Sequence, residues 1–448
     1  MKTIRDVYHK LGLAYVAFIT ILGIHLRLWW INNIPTKPVF DFETYQEIAT
    51  NIFHRLGHSF RGEPIAFQGM GYPTVLGILY RIMGSNDLYI AKIFHVILSS
   101  LTLIIAYFIF HKLFQRRAAV YLAYTIMALL PNYLAYNNVI STEAFFTFLL
   151  TAIIFLQLYF PEKRWSYILL GGFTGIAALT KPFFMAYPVI IAVAFWLKKK
   201  NLKETLIQFG MVFLIMALMI APWTYRNYQK FGRLIPISYN SGYVLFINNN
   251  GNNTTGAWMS PQDAEAPAEV HQKINEILKD GNRSEKIAHD LEPVIKAAVK
   301  EWIKKHPTEF MKLGILRLKA TFFNGAWDIN AWAMNELEWS DTEWKEVEYL
   351  RNMNFFRGMN DWIIYTLSAF GFLYVLANVK NILVGLFKKE HLVKDRIILS
   401  VLNIAFFVAI CFVYEGQARY NYPVLFFFII ALVDTVGAIT SHNKVERE

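Results

Sequence analysis

Cys411 is the one cysteine among 448 residues, so no intrachain disulfide can form and a thiolate metal site lacks its ligands. Charge is also scarce. Only 17% of residues are Asp, Glu, Lys or Arg, against about 25% in a soluble domain. The apolar run ending at Trp29, Trp30, Asn32 and Asn33 has no small-residue cleavage site and contains His25 and Arg27. It is expected to stay as a span rather than leave as a signal peptide. No internal repeat is visible, which weighs against the paired halves of a secondary transporter, and no soluble nucleotide-sugar fold appears.

In place of charge there are long apolar blocks, such as Leu11 to Ile24, Ile140 to Phe160 and Thr205 to Ala221, within a composition that is 55% hydrophobic. Blocks of this length read as membrane spans rather than core stripes. They predict an all-α polytopic membrane protein with about ten (nine to twelve) spans, placed near 11–33, 88–111, 118–135, 139–160, 166–180, 183–197, 205–224, 360–387, 397–413 and 420–440. The net charge of +11 does not indicate nucleic acid, because the cations fall in short clusters between apolar blocks. With the N-terminus inside, 18 Lys and Arg lie in the cytoplasmic segments, from Lys2, Arg5 and Lys10 to Lys444 and Arg447, while the short outer connections hold only Lys181 and Arg419. The positive-inside rule then puts both termini in the cytoplasm.

The chain divides into an N-terminal span region (1–224) with a first outer loop at about 34–87, a long outer loop (225–359) and a C-terminal span region (360–448). Pro73 to Met83 is too short to cross and predicts a partial helix at the bilayer. In the long loop, Ile287, Leu291, Val294, Ile295, Ala298 and Trp302 recur at helical spacing. They predict an amphipathic helix over 285–305, kinked at Pro293 and lying on the membrane surface. Gly251 to Gly256, within INNNGNNTTGAW, reads as an ordered loop.

Charges near a bilayer are expensive and tend to be functional. Those at the outer span ends are Arg27, Asp41, Glu43, Glu47, Glu143, Lys181, Arg226, Glu415 and Arg419, with Asp434 deeper in the last span. Asp41 suits a general base, because an apolar surround raises a carboxylate's proton affinity; it equally suits the N-cap of a helix over 43–55 whose one side carries Tyr45 and Ile48. Lys181, in ALTKPFF, is either a point charge for phosphate or a snorkelling cation. Arg419, in YEGQARYNYP, offers a planar fork for phosphate, or pairs with Glu415 four residues earlier. Glu143, in ISTEAFF, is a second carboxylate or a helix-dipole partner. His54 and His58, with Asp41 and Glu63 nearby, are weak metal candidates with no fixed third ligand. Sequons at Asn252, Asn253 and Asn282 are close to chance in so Asn-rich a segment, and interfacial Trp and Tyr account for most of the aromatics.

The order of FDFETYQEIA, GYPTVLGILYRIMG, STEAFF, ALTKP, APWTYRNYQKFGRLIPIS, INNNGNNTTGAW and EGQARYNYP along most of the chain resembles the polytopic GT-C glycosyltransferases, in particular the bacterial protein mannosyltransferase and aminoarabinose transferase group. The resemblance implies a GT-C-like bundle with interfacial helices in both outer loops. It implies transfer of a sugar from a polyprenyl-phosphate carrier to a glycan, glycolipid or protein acceptor at the extracytoplasmic face of the cell membrane, usually with inversion. Asp41 matches the family's catalytic acid; Glu43 follows it after Phe42 where many relatives carry adjacent acids. Lys181 and Arg419, and with them Arg226, match the cations that engage donor phosphate, with Glu415, Tyr45 and Tyr72 as supporting residues. No cofactor is indicated. The competing classes are a secondary transporter or flippase and a non-catalytic membrane subunit.

Overall fold

The computed structural model describes residues 2–34, 36–279, 285–331 and 348–445; the sequon at Asn282 and the expected cytoplasmic cation Arg447 lie outside them. Helix α1 (Lys2–Asn33) leads into a pair of short helices, α2 (Asp41–Phe53) and α3 (Gly71–Met83). Then come α4 (Leu88–Leu113), α5 (Arg117–Leu129), α6 (Pro131–Ala135), α7 (Glu143–Tyr159), α8 (Arg164–Thr180), α9 (Tyr187–Lys199) and α10 (Leu202–Phe231). The long loop holds α11 (Ser241–Asn248), α12 (Ala268–Ile277), α13 (Glu292–Lys305), α14 (Pro307–Phe322) and α15 (Trp327–Ala331), and last come α16 (Glu348–Phe387), α17 (Asp395–Val413) and α18 (Tyr422–Val445).

Among the described residues, seven helical stretches are long and apolar enough to cross a bilayer, and α5 with α6 and the turn after it, bent by 48°, makes an eighth if the pair is one span. The other two expected spans are α7 and α8, of 17 residues each. At 1.5 Å per residue each reaches roughly 26 Å, a little short of about 30 Å of hydrocarbon. Length and composition alone thus give seven or eight spans among the described residues, and the expected ten is reached only with α7 and α8. In α18, Val424 through Ala431 are all fully buried, as an all-round apolar helix at a bundle centre must be. It packs against α5, α7, α16 and α17.

Arg27, an intramembrane cation that is 2% exposed, has a structural explanation. Pro131 ends α5 and leaves carbonyls without helical partners. Arg27 Nη1 donates to one of them, Ala128 O, at 3.0 Å, and Nε donates to Ser99 Oγ at 2.6 Å. The group staples α1 to α4 and to the α5–α6 bend. Four ion pairs, Lys198–Asp395, Lys199–Glu162, Arg164–Glu204 and Arg396–Asp434, gather at the helix ends that the charge count assigns to the cytoplasm, and they absorb Asp434.

The segment Pro73 to Met83 is part of α3, which buries Tyr72, Leu76 and Tyr80 and exposes Ile78, Ile82 and Met83. α3 packs on α2 so closely that a Cβ on Gly77 would stand 2.6 Å from Ile52 Cβ. The amphipathic stretch 285–305 is helical, and a π-helical turn, Ile287–Leu291, runs directly into α13, so Pro293 follows a local irregularity of the helix. Its apolar stripe, Leu291, Ile295 and Val299, is covered by Phe246, Ile247, Val270 and Ile274 of α11 and α12, not by lipid.

Candidate functional site

Four chain segments meet where α2, α7 and α18 begin and α8 ends. Phe40, at the cap position before α2, has φ 52 and ψ −121 and makes no side-chain cap. That left-handed backbone is unusual for a bulky residue and marks local strain. It sets Asp41 as the first residue of the helix rather than its N-cap. α8 stops at Thr180 because Pro182 follows, and Lys181 takes an extended φ of −129. Glu143 opens α7 after Ser141 and Thr142. Gly416 interrupts the chain between α17 and the 3-10 turn Ala418–Asn421, so Arg419 and Tyr420 project from a turn.

These ends bring two ion pairs together. Arg419 Nη2 lies 3.1 Å from Asp41 Oδ2, with side-chain exposures of 12% and 32%. Lys181 Nζ lies 3.3 Å from Glu143 Oε1, with exposures of 13% and 2%. Tyr420 joins the pairs, since its ring has Arg419 Cζ at 5.2 Å and Lys181 Nζ at 5.8 Å. Phe42 adds a second ring against Arg419, 5.7 Å away. Aromatic faces attract cations electrostatically and hold them without neutralising them.

Arg419 therefore does not pair with Glu415. The i to i+4 geometry needs a helix, and residues 415–418 do not form one. Glu415 instead accepts from the Tyr420 hydroxyl at 2.7 Å and from Gln417 Nε2 at 2.6 Å. Burial pushes its carboxyl above the ordinary range, opposed by Arg419 and the Tyr420 hydrogen bond. Lys181 is held by Glu143 inside the protein and does not snorkel. Glu43 is exposed two residues beyond Asp41, which places it on the far side of α2 from the Arg419 pair. Tyr45 and Tyr72 lie behind Asp41, edge to face at 5.8 Å, with the Tyr72 hydroxyl 2.8 Å from His95 Nε2.

Arg226 is elsewhere. Its Nη1 donates to Ile65 O at 3.0 Å and its Nη2 to His58 O at 2.8 Å, clamping the hairpin Ser59–Phe60/Glu63–Pro64. Arg61 and Gly62, at φ 50 and 83, form its two-residue turn. A donor-phosphate role for Arg226 gains no support from this placement. His58 Nε2 is 2.7 Å from Thr74 Oγ1, and burial, then Arg226, pushes the imidazole down to about 4. His54 is exposed. Among the described residues no group of three His, Cys, Asp or Glu is placed to hold a metal ion. At the sequon Asn253, Nδ2 already donates to Ile247 O and Ala257 O.

Three neighbours of the site escaped the sequence reading. Tyr420 is one. Asp328 of α15 is another: fully buried, it accepts from the Tyr136 hydroxyl at 2.7 Å and Asn132 Nδ2 at 3.3 Å. Burial lifts its carboxyl to about 6 against those hydrogen bonds. The third is Arg317 of α14, a fully buried guanidinium. In the sequence Asp328 stands as a single charge after GAW, which is the one signal it offers, whereas Arg317 shares GILRLKATFF with Lys319 and is not set apart.

A family profile described as dolichyl-phosphate-mannose-protein mannosyltransferase matches residues 79–233. The match takes in Glu143, Lys181 and Arg226 but neither Asp41 nor Arg419. No curated protein sequence matches the chain. Among solved structures, the chain is similar to the Archaeoglobus fulgidus oligosaccharyltransferase tethered to an acceptor peptide, at 15% identity and TM-score 0.53, covering 98% of this chain and 51% of that one. It is likewise similar to the archaeal oligosaccharyltransferase AglB from Archaeoglobus fulgidus in complex with an inhibitory peptide and a dolichol-phosphate, at 14% identity and TM-score 0.52, covering 98% and 52%. The chain spans about half the length of these structures. At such identities the likeness is one of fold. The chain has the GT-C-type multi-pass membrane fold that its motifs imply.

Proposed function

We propose that this chain is a membrane glycosyltransferase that moves a sugar from a polyprenyl-phosphate carrier to an acceptor hydroxyl at the extracytoplasmic face, with inversion at the anomeric carbon. The observation that carries the reading is the Asp41–Arg419 contact at 3.1 Å, with Lys181 Nζ 5.8 Å from the centre of the Tyr420 ring that Arg419 also meets. A carboxylate that can take a proton thus stands beside two cations suited to phosphate. The acceptor oxygen forms its bond to the anomeric carbon as the bond from that carbon to the phosphate oxygen breaks. The acceptor proton goes to Asp41, and the departing phosphate keeps the electron pair, its charge met by Arg419 and Lys181. Arg419 supplies a planar fork and Lys181 a compact charge. The family match over 79–233 supports a phosphate-linked lipid donor, and the lipid tail requires a site at the membrane boundary, where these helix ends meet. Glu143 holds Lys181, and Glu415 holds the Tyr420 hydroxyl.

The test is sugar transfer by purified, reconstituted protein from a panel of synthetic polyprenyl-phosphate sugars, beside its Asp41→Asn variant. Transfer by the wild type and its near loss in the variant are expected. A wild type inactive with every donor removes the reading in favour of transport, and equal activity of the two proteins removes Asp41 as the base.

A further inference from the structure

We infer that Arg317 is a positioning residue that fixes the turn carrying Glu415 and Arg419 and so sets where Arg419 meets the donor; this rests on the transferase reading above. Arg317 is fully buried, and among the described residues no carboxylate pairs with it. Its Nε donates to Phe412 O at 2.8 Å, and its Nη1 donates to Asn248 O at 2.7 Å and Asn249 Oδ1 at 3.0 Å. Phe412 lies in the last turn of α17, whose carbonyls have no helical partner, and a cation there also suits the helix dipole. Asn249 Nδ2 reaches the next carbonyl, Val413 O, at 3.3 Å. The end of α17 is thus capped by the long loop through Arg317 and Asn249.

The same face of α14 continues along the turn. A Cβ on Gly416 would stand 2.6 Å from Arg317 Cα and carbonyl O, so only glycine allows this approach. Thr321, four residues on from Arg317, accepts from Asn421 Nδ2 at 3.3 Å. Gly314, Arg317 and Thr321 share one side of the helix at i, i+3 and i+7, and they touch Phe412, Gly416 and Asn421 in the same order. Arg419 lies between the last two of those contacts. Its guanidinium is aimed at Asp41 from a backbone that α14 shapes.

A buried guanidinium without a carboxylate is a poor device for stability, since a well-packed apolar side chain in such a place is often neutral or better. A planar fork that reaches two carbonyls on different segments is a good device for geometry, and lysine cannot copy it. The expected outcome for both Arg317→Met and Arg317→Lys is therefore a donor kcat/KM lowered about tenfold or more, because Arg419 meets both the bound donor and the departing phosphate. Gly416→Ala reaches the same turn by another route and is expected to do the same.

The deciding experiment is a double-mutant cycle on donor kcat/KM. In an Arg419→Ala background, Arg317→Met is expected to add little further loss, because its effect passes through Arg419. Additive losses overturn the positioning role. So does a donor kcat/KM within twofold of wild type in both Arg317→Lys and Gly416→Ala. A wild type without transfer activity overturns the transferase reading instead, so the two failures are distinct.

Discussion

Arg419 Nη2 stands 3.1 Å from Asp41 Oδ2 across 378 residues of sequence, so the cation best shaped for phosphate rests on the carboxylate best placed to take a proton. A donor phosphate that draws Arg419 away leaves Asp41 to the acceptor hydroxyl in the complex that needs it. Asp41→Asn is expected to lower kcat by about 10²- to 10⁴-fold. Polyprenyl phosphate alone should raise the melting temperature of this variant at least as much as that of wild type, because Arg419 no longer leaves a carboxylate to bind it. Arg419→Ala should lose the lipid-induced shift. If Asp41→Asn loses it as completely, the exchange of partners is wrong.

The Lys181–Glu143 pair is buried more deeply, and a single deletion there leaves a charge without its partner. Glu143→Leu and Lys181→Met are each expected to destabilise by about 3–5 kcal/mol, while the double variant recovers most of that loss. Thermal unfolding in detergent micelles measures this. Transfer activity separates the roles further: the double variant, stable again, should still be impaired in donor binding because Lys181 is gone. A double variant no more stable than either single one contradicts the pairing.

The residues that could be read from sequence are those where a charge interrupts an apolar block at a helix end: Asp41, Glu143, Lys181, Arg419. Their partners could not be read, because pairing follows the fold. Glu415 is four residues from Arg419, yet no helix joins them, and the ion pair forms with Asp41 instead. Arg226 looks from sequence like another phosphate ligand and serves the Arg61–Gly62 hairpin, which no hydrophobic period announces. The 285–305 stretch shows the same limit: periodicity reveals an apolar face but not that α11 and α12 cover it. The spans themselves are legible in position, while α7 and α8 stop at 17 residues where Pro161 and Pro182 follow their caps, Phe160 and Lys181.

Asp328 and His58 titrate against one another. The Asp328 carboxyl is raised from 3.8 to about 6. Between those values the folded protein binds more protons than the unfolded chain, so its contribution to stability is present at low pH and lost as pH rises to 6. His58 is lowered from 6.5 to about 4; in that window the unfolded chain binds more protons, so its contribution is present above 6.5 and lost as pH falls to 4. Each is worth of order 3 kcal/mol at most. Wild-type stability should change little from these two groups between pH 4 and 6.5. Asp328→Asn should make stability rise with pH over that range and His58→Gln should make it fall, as read from melting temperatures at fixed ionic strength. Parallel profiles for the two variants contradict the assignment.

Phe40 carries the remaining tension at the site. Its φ of 52 and ψ of −121 suit glycine, and holding a bulky residue there costs about 1–3 kcal/mol. Phe40→Gly removes that cost, offset in part by the greater freedom of the unfolded chain, worth up to about 1 kcal/mol. It is expected to leave stability equal or slightly higher, whereas Phe40→Val, β-branched and equally strained, should lower it. If the strain serves to set Asp41 at the first turn of α2, Phe40→Gly frees the backbone to relax, and transfer activity should fall although the fold is no weaker. Thermal unfolding and donor turnover on the same preparation read both effects, and a variant that gains activity along with stability would show the strain to be incidental.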